Sequence, residues 1–366
     1  MHKMTRWTLA LPMVVVALLL VPASPTFAAS TISAQPVRTS LAFPSAFTFA
    51  PDGRVFFGER ASGRIALFDP GTTAAPTTFF TIPDVVGSAE QGLVGLALDP
   101  NFGSTHDAFA YVTRLISGQP RNQILRISSD GTTGSGFTVI YDAPSGGSYH
   151  NGGRLEFGPD GLLYVVTGDI HNSANSQDLT NTLGKVLRIT SSGGVPAAGN
   201  PTAGSLIFAY GFRNSFGFSF DPANGNLWES ENGPACNDEM NLVKGGSNYG
   251  WGPTETCSTP PKAPRNTNRD GPNPVQPLRS YTPTIAPTGL AFCSACGLGA
   301  KSEGSMFFGA YNTGDLRRVI LDGTRTTVAS QAVVYHHSSG ILSVERSPAG
   351  TLYLSDASGI FRLTTP

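Results

Sequence analysis

One phrase recurs along the chain and restricts its fold more than any other feature. An apolar residue or Arg, one further residue, Pro, and a short stretch ending in Gly lead into an alternating run of β-branched and aromatic residues. The full copies are FAPDGRVFFGE (49–59), FGPDGLLYVVTGD (157–169), FDPANGNLWESE (220–231) and RSPAGTLYLSD (346–356). LDPNFGSTHDAFAYVT (98–113) is a variant with a longer turn, and GSMFFGAY (304–311) keeps only the strand. Pro and Gly make a tight turn and the flanking residues are strand formers, so each copy reads as strand, turn, strand. A second phrase, short and apolar around an Arg, follows at a variable distance: RIALF (64–68), QILRI (123–127), KVLRI (185–189), LRRVIL (316–321) and IFRL (360–363). Six such units of short antiparallel strands predict an all-β chain, a six-bladed β-propeller of four-stranded antiparallel blades. With 43 Gly and 28 Pro among 366 residues, long helices are disfavoured.

The N-terminus reads differently. His2, Lys3 and Arg6 precede an unbroken apolar run from Leu9 to Val21, and small residues lead to Ala28 and Ala29. This three-part pattern predicts a secretory signal over residues 1–28, an extracellular mature chain, and no membrane attachment after cleavage. The run is too short for a spanning helix. Residues 29–40 read as a lead-in and 41–366 as a single propeller domain, with a long Pro-, Asn- and Thr-rich inserted loop at 253–283. Formal charge is −1, which speaks against nucleic acid as a partner. A monomer and a homodimer are both open. Export makes Cys236, Cys257, Cys293 and Cys296 candidates for disulfides. Nearest-neighbour pairing is one of three possible connectivities, and a four-thiolate zinc site is the rival.

Three segments carry residues suited to chemistry. In SYHNGGRLEFGPDGLLYVVTGD (148–169), His150 precedes a blade strand in a Gly-flanked turn, where an imidazole can accept a proton near neutral pH. A loop histidine bonded to its own turn is the plainer alternative. In AYGFRNSFGFSFDP (209–222), Arg213 and Asn214 lie between glycines at the mouth of another blade. Such a pair can clamp a carboxylate or polarise a carbonyl, or form an inter-blade salt bridge. In ENGPACNDEMNLVKGGSNYGWG (231–252), Glu231, Asp238 and Glu239 supply hard oxygens in an irregular loop. That chemistry suits calcium; a solvated acidic turn is the alternative.

Together these segments resemble the soluble glucose/sorbosone dehydrogenase family of quinoprotein propellers. EQGLVGLALDPNF (90–102), the His150 phrase, QDLTNTLGKVLRIT (177–190), YGFRN (210–214), DEMNLVKGGSNYGWG (238–252) and IAPTGLAF (285–292) match in order. The resemblance implies oxidation of an aldose C1 hydroxyl to a lactone, with pyrroloquinoline quinone (PQQ) and Ca2+ as cofactors. On the matching positions, His150 is the base and Arg213 and Asn214 contact the quinone. Glu90 falls where the family has a cofactor-contacting glutamine. Gly233, Pro234, Glu239 and Tyr249 fall on the calcium ligands.

The chain also departs from that pattern. Phe216 replaces a glutamine, Asn312 a lysine, and Gly340-Ile341-Leu342 an Arg-Ile-Arg run. A cofactor with three carboxylates then loses cations, for which His336, His337, Arg317 and Arg318 are candidate replacements. Two other functions are open: a binding propeller for carbohydrate or protein, with a decayed cofactor site, and a calcium-dependent lactonase.

Overall fold

Six sheets, each of four antiparallel strands, make up the computed structural model, which describes residues 32–258 and 262–365. The segment read as a signal lies outside the described residues. The first strand, β1 (Ser33–Thr39), joins the last blade. Blade I is β2 (Pro44–Phe49), β3 (Val55–Glu59), β4 (Arg64–Phe68) and β5 (Thr77–Thr81). Blade II is β6 (Leu93–Leu98), β7 (Ala108–Ile116), β8 (Gln119–Ser129) and β9 (Gly134–Asp142). Blade III is β10 (Gly152–Phe157), β11 (Leu163–Thr167), β12 (Lys185–Ile189) and β13 (Ile207–Tyr210). Blade IV is β14 (Ser215–Phe220), β15 (Leu227–Glu231), β16 (Asp238–Val243) and β17 (Arg279–Tyr281). Blade V is β18 (Pro287–Phe292), β19 (Met306–Ala310), β20 (Asp315–Leu321) and β21 (Val328–His336). Blade VI is β22 (Ser343–Arg346), β23 (Leu352–Ser355), β24 (Gly359–Thr364) and β1.

The recurrent phrase is the hairpin between the first two strands of a blade. In its four full copies the turn glycine has positive φ: 91° at Gly53, 75° at Gly161, 76° at Gly225 and 92° at Gly350. A side chain is strained there, which is why Gly ends each turn. The Arg-containing phrase is the third strand. Each first strand lies beside that of the next blade, and β22 beside β2, so the six close around an axis.

Apolar faces of neighbouring blades fill the wedges between them, and large rings suit that shape. Phe56, Phe79 and Phe102 meet edge to face between blades I and II, and Tyr164 packs on Phe220 between III and IV.

Two boundaries differ from the sequence reading. The lead-in is part of the propeller: β1 pairs with β24 from Ser33 opposite Thr364 to Thr39 opposite Gly359. The final blade would otherwise lack its outer strand and leave a bare edge. The inserted loop ends earlier than expected, because Arg279–Tyr281 is β17 and pairs with β16. The cysteines pair as nearest neighbours, Cys236 with Cys257 and Cys293 with Cys296, which excludes the zinc alternative. Among the described residues no helix is long and apolar enough to cross a membrane.

Candidate active site on the propeller axis

The inner strands do not begin regularly. A bulge interrupts the pairing of five of them, at Ser45, Val94, Gly153–Arg154, Phe216 and Thr288–Gly289. An extra residue re-aims the local side chain, and Ser45, Val94, Phe216 and Thr288 all line one cavity of about 450 Å3 at this end of the axis. Loops preceding the inner strands supply Glu90, His150, Arg213 and Asn214 to it, and the segment after β15 supplies Asn232, Gly233 and Pro234. A second cavity of about 480 Å3 is lined by the other ends of the same strands. Arg154 lines that second cavity and donates to the carbonyls of Phe216 (3.2 Å) and Leu342 (2.7 Å), which belong to the first. Its guanidinium therefore stands between the two.

His150 is held from three sides. Its Nδ1 lies 2.6 Å from Asp169 Oδ1, and its backbone N–H donates to Glu90 Oε2 at 2.8 Å. The His171 ring meets it edge to face at 4.5 Å. Asp169 is itself fixed: Oδ2 accepts from Trp251 Nε1 (2.8 Å) and Oδ1 from the His171 N–H (2.8 Å). With Nδ1 taken by a carboxylate, Nε2 is the nitrogen left to accept a proton. His150, Ile170 and His171 all have positive φ, at 58°, 52° and 66°. Three strained non-glycine residues thus bracket the pair.

Arg213 is largely buried, and desolvation lowers its pKa, opposed by Asp169, Glu231, Glu90 and Asp238. Its Nη1 donates to the Asn232 carbonyl (2.9 Å), its guanidinium lies 5.5 Å from the Trp251 ring centre, and its N–H donates to the Glu231 carboxylate. Asn214 accepts from the Gly152 N–H (3.2 Å) and donates to Glu90 (3.4 Å). Glu90 thus links the His150 turn to Asn214.

The four positions matching the calcium ligands fall in two places. Gly233 and Pro234 line the cavity together with Asp238, whose Oδ1 accepts the Gly233 N–H at 2.8 Å. Glu239 is the next residue on β16 and points to the other face of the sheet, as strand alternation requires. There it is paired opposite Glu231, and Asn241 opposite Glu229. Burial first, then repulsion from a neighbouring carboxylate (Glu239 acting on Glu229 and Glu231, Asp238 on Glu239), raises the carboxyl pKa values: Glu229 to about 8, Glu239 to about 7, and Glu231 upward as well. Glu229 Oε1 and Asn241 Oδ1 are buried with no hydrogen-bond partner, an arrangement that a cation would satisfy. Asn268 Nδ2 donates to both Glu239 (3.0 Å) and the Tyr249 carbonyl (2.7 Å). Among the described residues no three acidic, His or Cys side chains converge as a ready metal cage. A cation here would need backbone oxygens and a shift of Asn268.

The candidate replacement cations do not reach the cavity. His336 is exposed beside Asp315, His337 is buried against Asp356 (2.9 Å), Arg317 pairs with Asp315 (3.1 Å), and Arg318 approaches Ser302. These residues lie on or just past the third and fourth strands of blade V, away from the axis. Asn312 and Leu342 do line the cavity, as does Phe216. The second cation is instead Arg60, in the turn after β3, which the sequence did not single out. Its Nη1 gathers the carbonyls of Gly87 (3.2 Å), Ala89 (2.5 Å) and Gln91 (2.9 Å), pinning the loop that carries Glu90. None of the described residues of 253–283 lines the cavity. The sequence did not single out Asp169 either, although it ends the very segment that contains His150.

A model of the glucose/sorbosone dehydrogenase family matches residues 41–362. An aldose sugar dehydrogenase of Escherichia coli is 27% identical over 342 residues, covering 89% of this chain and 90% of its own. Quinoprotein glucose dehydrogenase B of Acinetobacter calcoaceticus is 30% identical over 250 residues, which cover 59% of this chain and 51% of that protein. The PQQ-bound aldose sugar dehydrogenase of Streptomyces coelicolor superimposes with a TM-score of 0.76 at 28% identity, covering 92% of this chain and 98% of that one.

Proposed function

The chain belongs to the glucose/sorbosone dehydrogenase family, and from that membership we propose that it is an exported aldose dehydrogenase that oxidises a sugar C1 hydroxyl to the lactone. The observation that carries this reading is the His150–Asp169 pair at the axial cavity. Asp169 orients the ring and stabilises its protonated form, and Nε2 takes the C1 hydroxyl proton. Glu90 and Asn214 hold the turn in place. PQQ, when bound, supplies the acceptor for the two electrons and the hydrogen that leave C1.

The residues present fit that cofactor along one side. Arg213 and Asn214 would hold its quinone edge. The Gly233 and Pro234 carbonyls, beside Asp238, would be the oxygens to hold Ca2+ there, and Arg60 offers a second cation. A further Ca2+ at Glu239 and the Tyr249 carbonyl would relieve the buried carboxyl cluster. Export accords with the two disulfides.

A second reading, a sugar-binding propeller without turnover, is favoured by Asn312 and Leu342, which line the cavity at positions where the resemblance places cations for the cofactor carboxylates. Reconstitution with PQQ and Ca2+, followed by dye reduction across a panel of aldoses, separates the two. Turnover that falls about a hundredfold or more in His150→Ala supports the dehydrogenase. No turnover with any aldose, at saturating PQQ, refutes it.

A further inference from the structure

Blades V, VI and I bring the Tyr311 and Phe43 rings and Leu342 to the cavity, alongside the polar Ser45, Arg60, Thr288 and Asn312. Tyr311, just past β19, lines it and is 46% exposed, an unusual state for a large ring in a concave site. Behind that ring lies Gly340. A Cβ at position 340 would stand 2.7 Å from Tyr311 Cδ2 and 2.9 Å from Cε2, nearer than real Cβ contacts come. The ring occupies space that any larger residue at 340 would take. Leu342 and Phe43 continue the same wall. The same cavity holds groups that donate or accept hydrogen bonds: His150, Asn214, Asn232 and Glu90.

A cavity that offers exposed ring faces beside hydrogen-bonding groups matches the two kinds of surface on a pyranose. The C–H face of the sugar carries slight positive charge and packs on the negative π-face of an aromatic ring, while its hydroxyls need fixed donors and acceptors. We propose that Tyr311, seated on Gly340, is the stacking platform for the pyranose ring of the substrate. The proposal rests on the reading of the cavity as a sugar site and assigns the residue on which the sugar ring stacks.

The test uses the full mature chain without PQQ and methyl β-D-glucopyranoside, which has no free C1 hydroxyl and stays unreacted. Titration calorimetry gives Kd for wild type, Tyr311→Ala, Tyr311→Phe and Gly340→Arg. A Kd raised about tenfold in Tyr311→Ala, unchanged within twofold in Tyr311→Phe, and raised comparably in Gly340→Arg is the expected result. Equal binding by wild type and Tyr311→Ala overturns the platform and leaves the sugar reading standing. No binding by wild type overturns the platform, and the dye-reduction assay with PQQ decides the sugar reading separately. Should Tyr311→Ala bind the glycoside normally but lose PQQ, measured by quenching of protein fluorescence, the ring serves the cofactor and the proposal fails.

Discussion

Asp169→Asn tests the chemistry most directly, because the substitution keeps shape and removes charge. The carboxylate stands 2.6 Å from His150 Nδ1 and accepts two further bonds, from Trp251 Nε1 and the His171 N–H, both at 2.8 Å. An amide can satisfy those donors only in part, and it cannot stabilise an imidazolium. Losing one charge-assisted bond costs about 1.5–3 kcal/mol, a factor of roughly 10 to 150 in rate. An amide N–H aimed at Nδ1 also favours the tautomer with the proton on Nε2, which cannot act as a base. The two effects together predict a fall in kcat of about a hundred- to a thousandfold, with KM changed little. Dye reduction by the reconstituted protein measures it. Long-range 1H–15N spectra of the histidines give a readout that needs no turnover: Nδ1 carries the proton in wild type and loses it in the variant. A folded variant with kcat within threefold of wild type, or with the same tautomer, would refute the argument.

Chelation should lower the melting temperature, since a cation bound only to the fold contributes about 2.7 kcal/mol at a hundred times its Kd. A melting temperature indifferent to chelator and to Glu239→Gln would rule out the cation at the carboxyl cluster. PQQ affinity should be weakened about a hundredfold or more, because Arg60 replaces one of three missing cations and the two remaining losses, at about 1.5–3 kcal/mol each, remove about 3–6 kcal/mol. Fluorescence titration showing nanomolar binding at physiological salt would contradict this. In the second axial cavity, burial first and then mutual repulsion push Glu156 up to about 8, and burial pushes Glu345 up to about 7. An acid with a raised folded value holds its proton more tightly in the fold. Stability should therefore fall as pH rises from the unfolded value near 4.5 towards 8. At about 1.36 kcal/mol per unit, discounted by half for solvent in the cavity, Glu156→Gln should stabilise the protein by about 2 kcal/mol at pH 8.5 and hardly at all at pH 5. Urea melts at the two pH values check the difference.

The blades were legible because a turn needing positive φ must spend a Gly, and Gly53, Gly161, Gly225 and Gly350 mark the same joint four times. The bulges were not. Ser45, Val94 and Phe216 sit in apolar or mixed strands that read as regular, and their displacement follows from six inner strands crowding one axis. His150 and Arg213 were visible as polar residues in glycine-rich turns. Arg60 looked like any charged residue of a surface turn, and only the carbonyls of Gly87, Ala89 and Gln91 around its guanidinium set it apart. Spacing placed Gly233 and Glu239 in one ligand set, but the alternation of β16 sends Asp238 and Glu239 to opposite sides. The pairing of the cysteines required distances that no spacing carries.

The union of β1 with β24 ties synthesis to assembly. Ser33 is among the first residues of the described chain to emerge, yet its partner, Thr364, is among the last. Until the C-terminal strand is made, blade VI lacks two of its four strands and the ring stands open as an arc with bare edges. Early blades can form locally, but the axial cavity, which needs Phe43 from the start and Leu342 from near the end, is completed only when the whole polypeptide is present. Contacts of such long sequence separation form late and slowly. A stalled or clipped chain would therefore accumulate as partly folded blades without binding ability, and a short deletion at either terminus should abolish ligand binding as thoroughly as damage to the cavity itself.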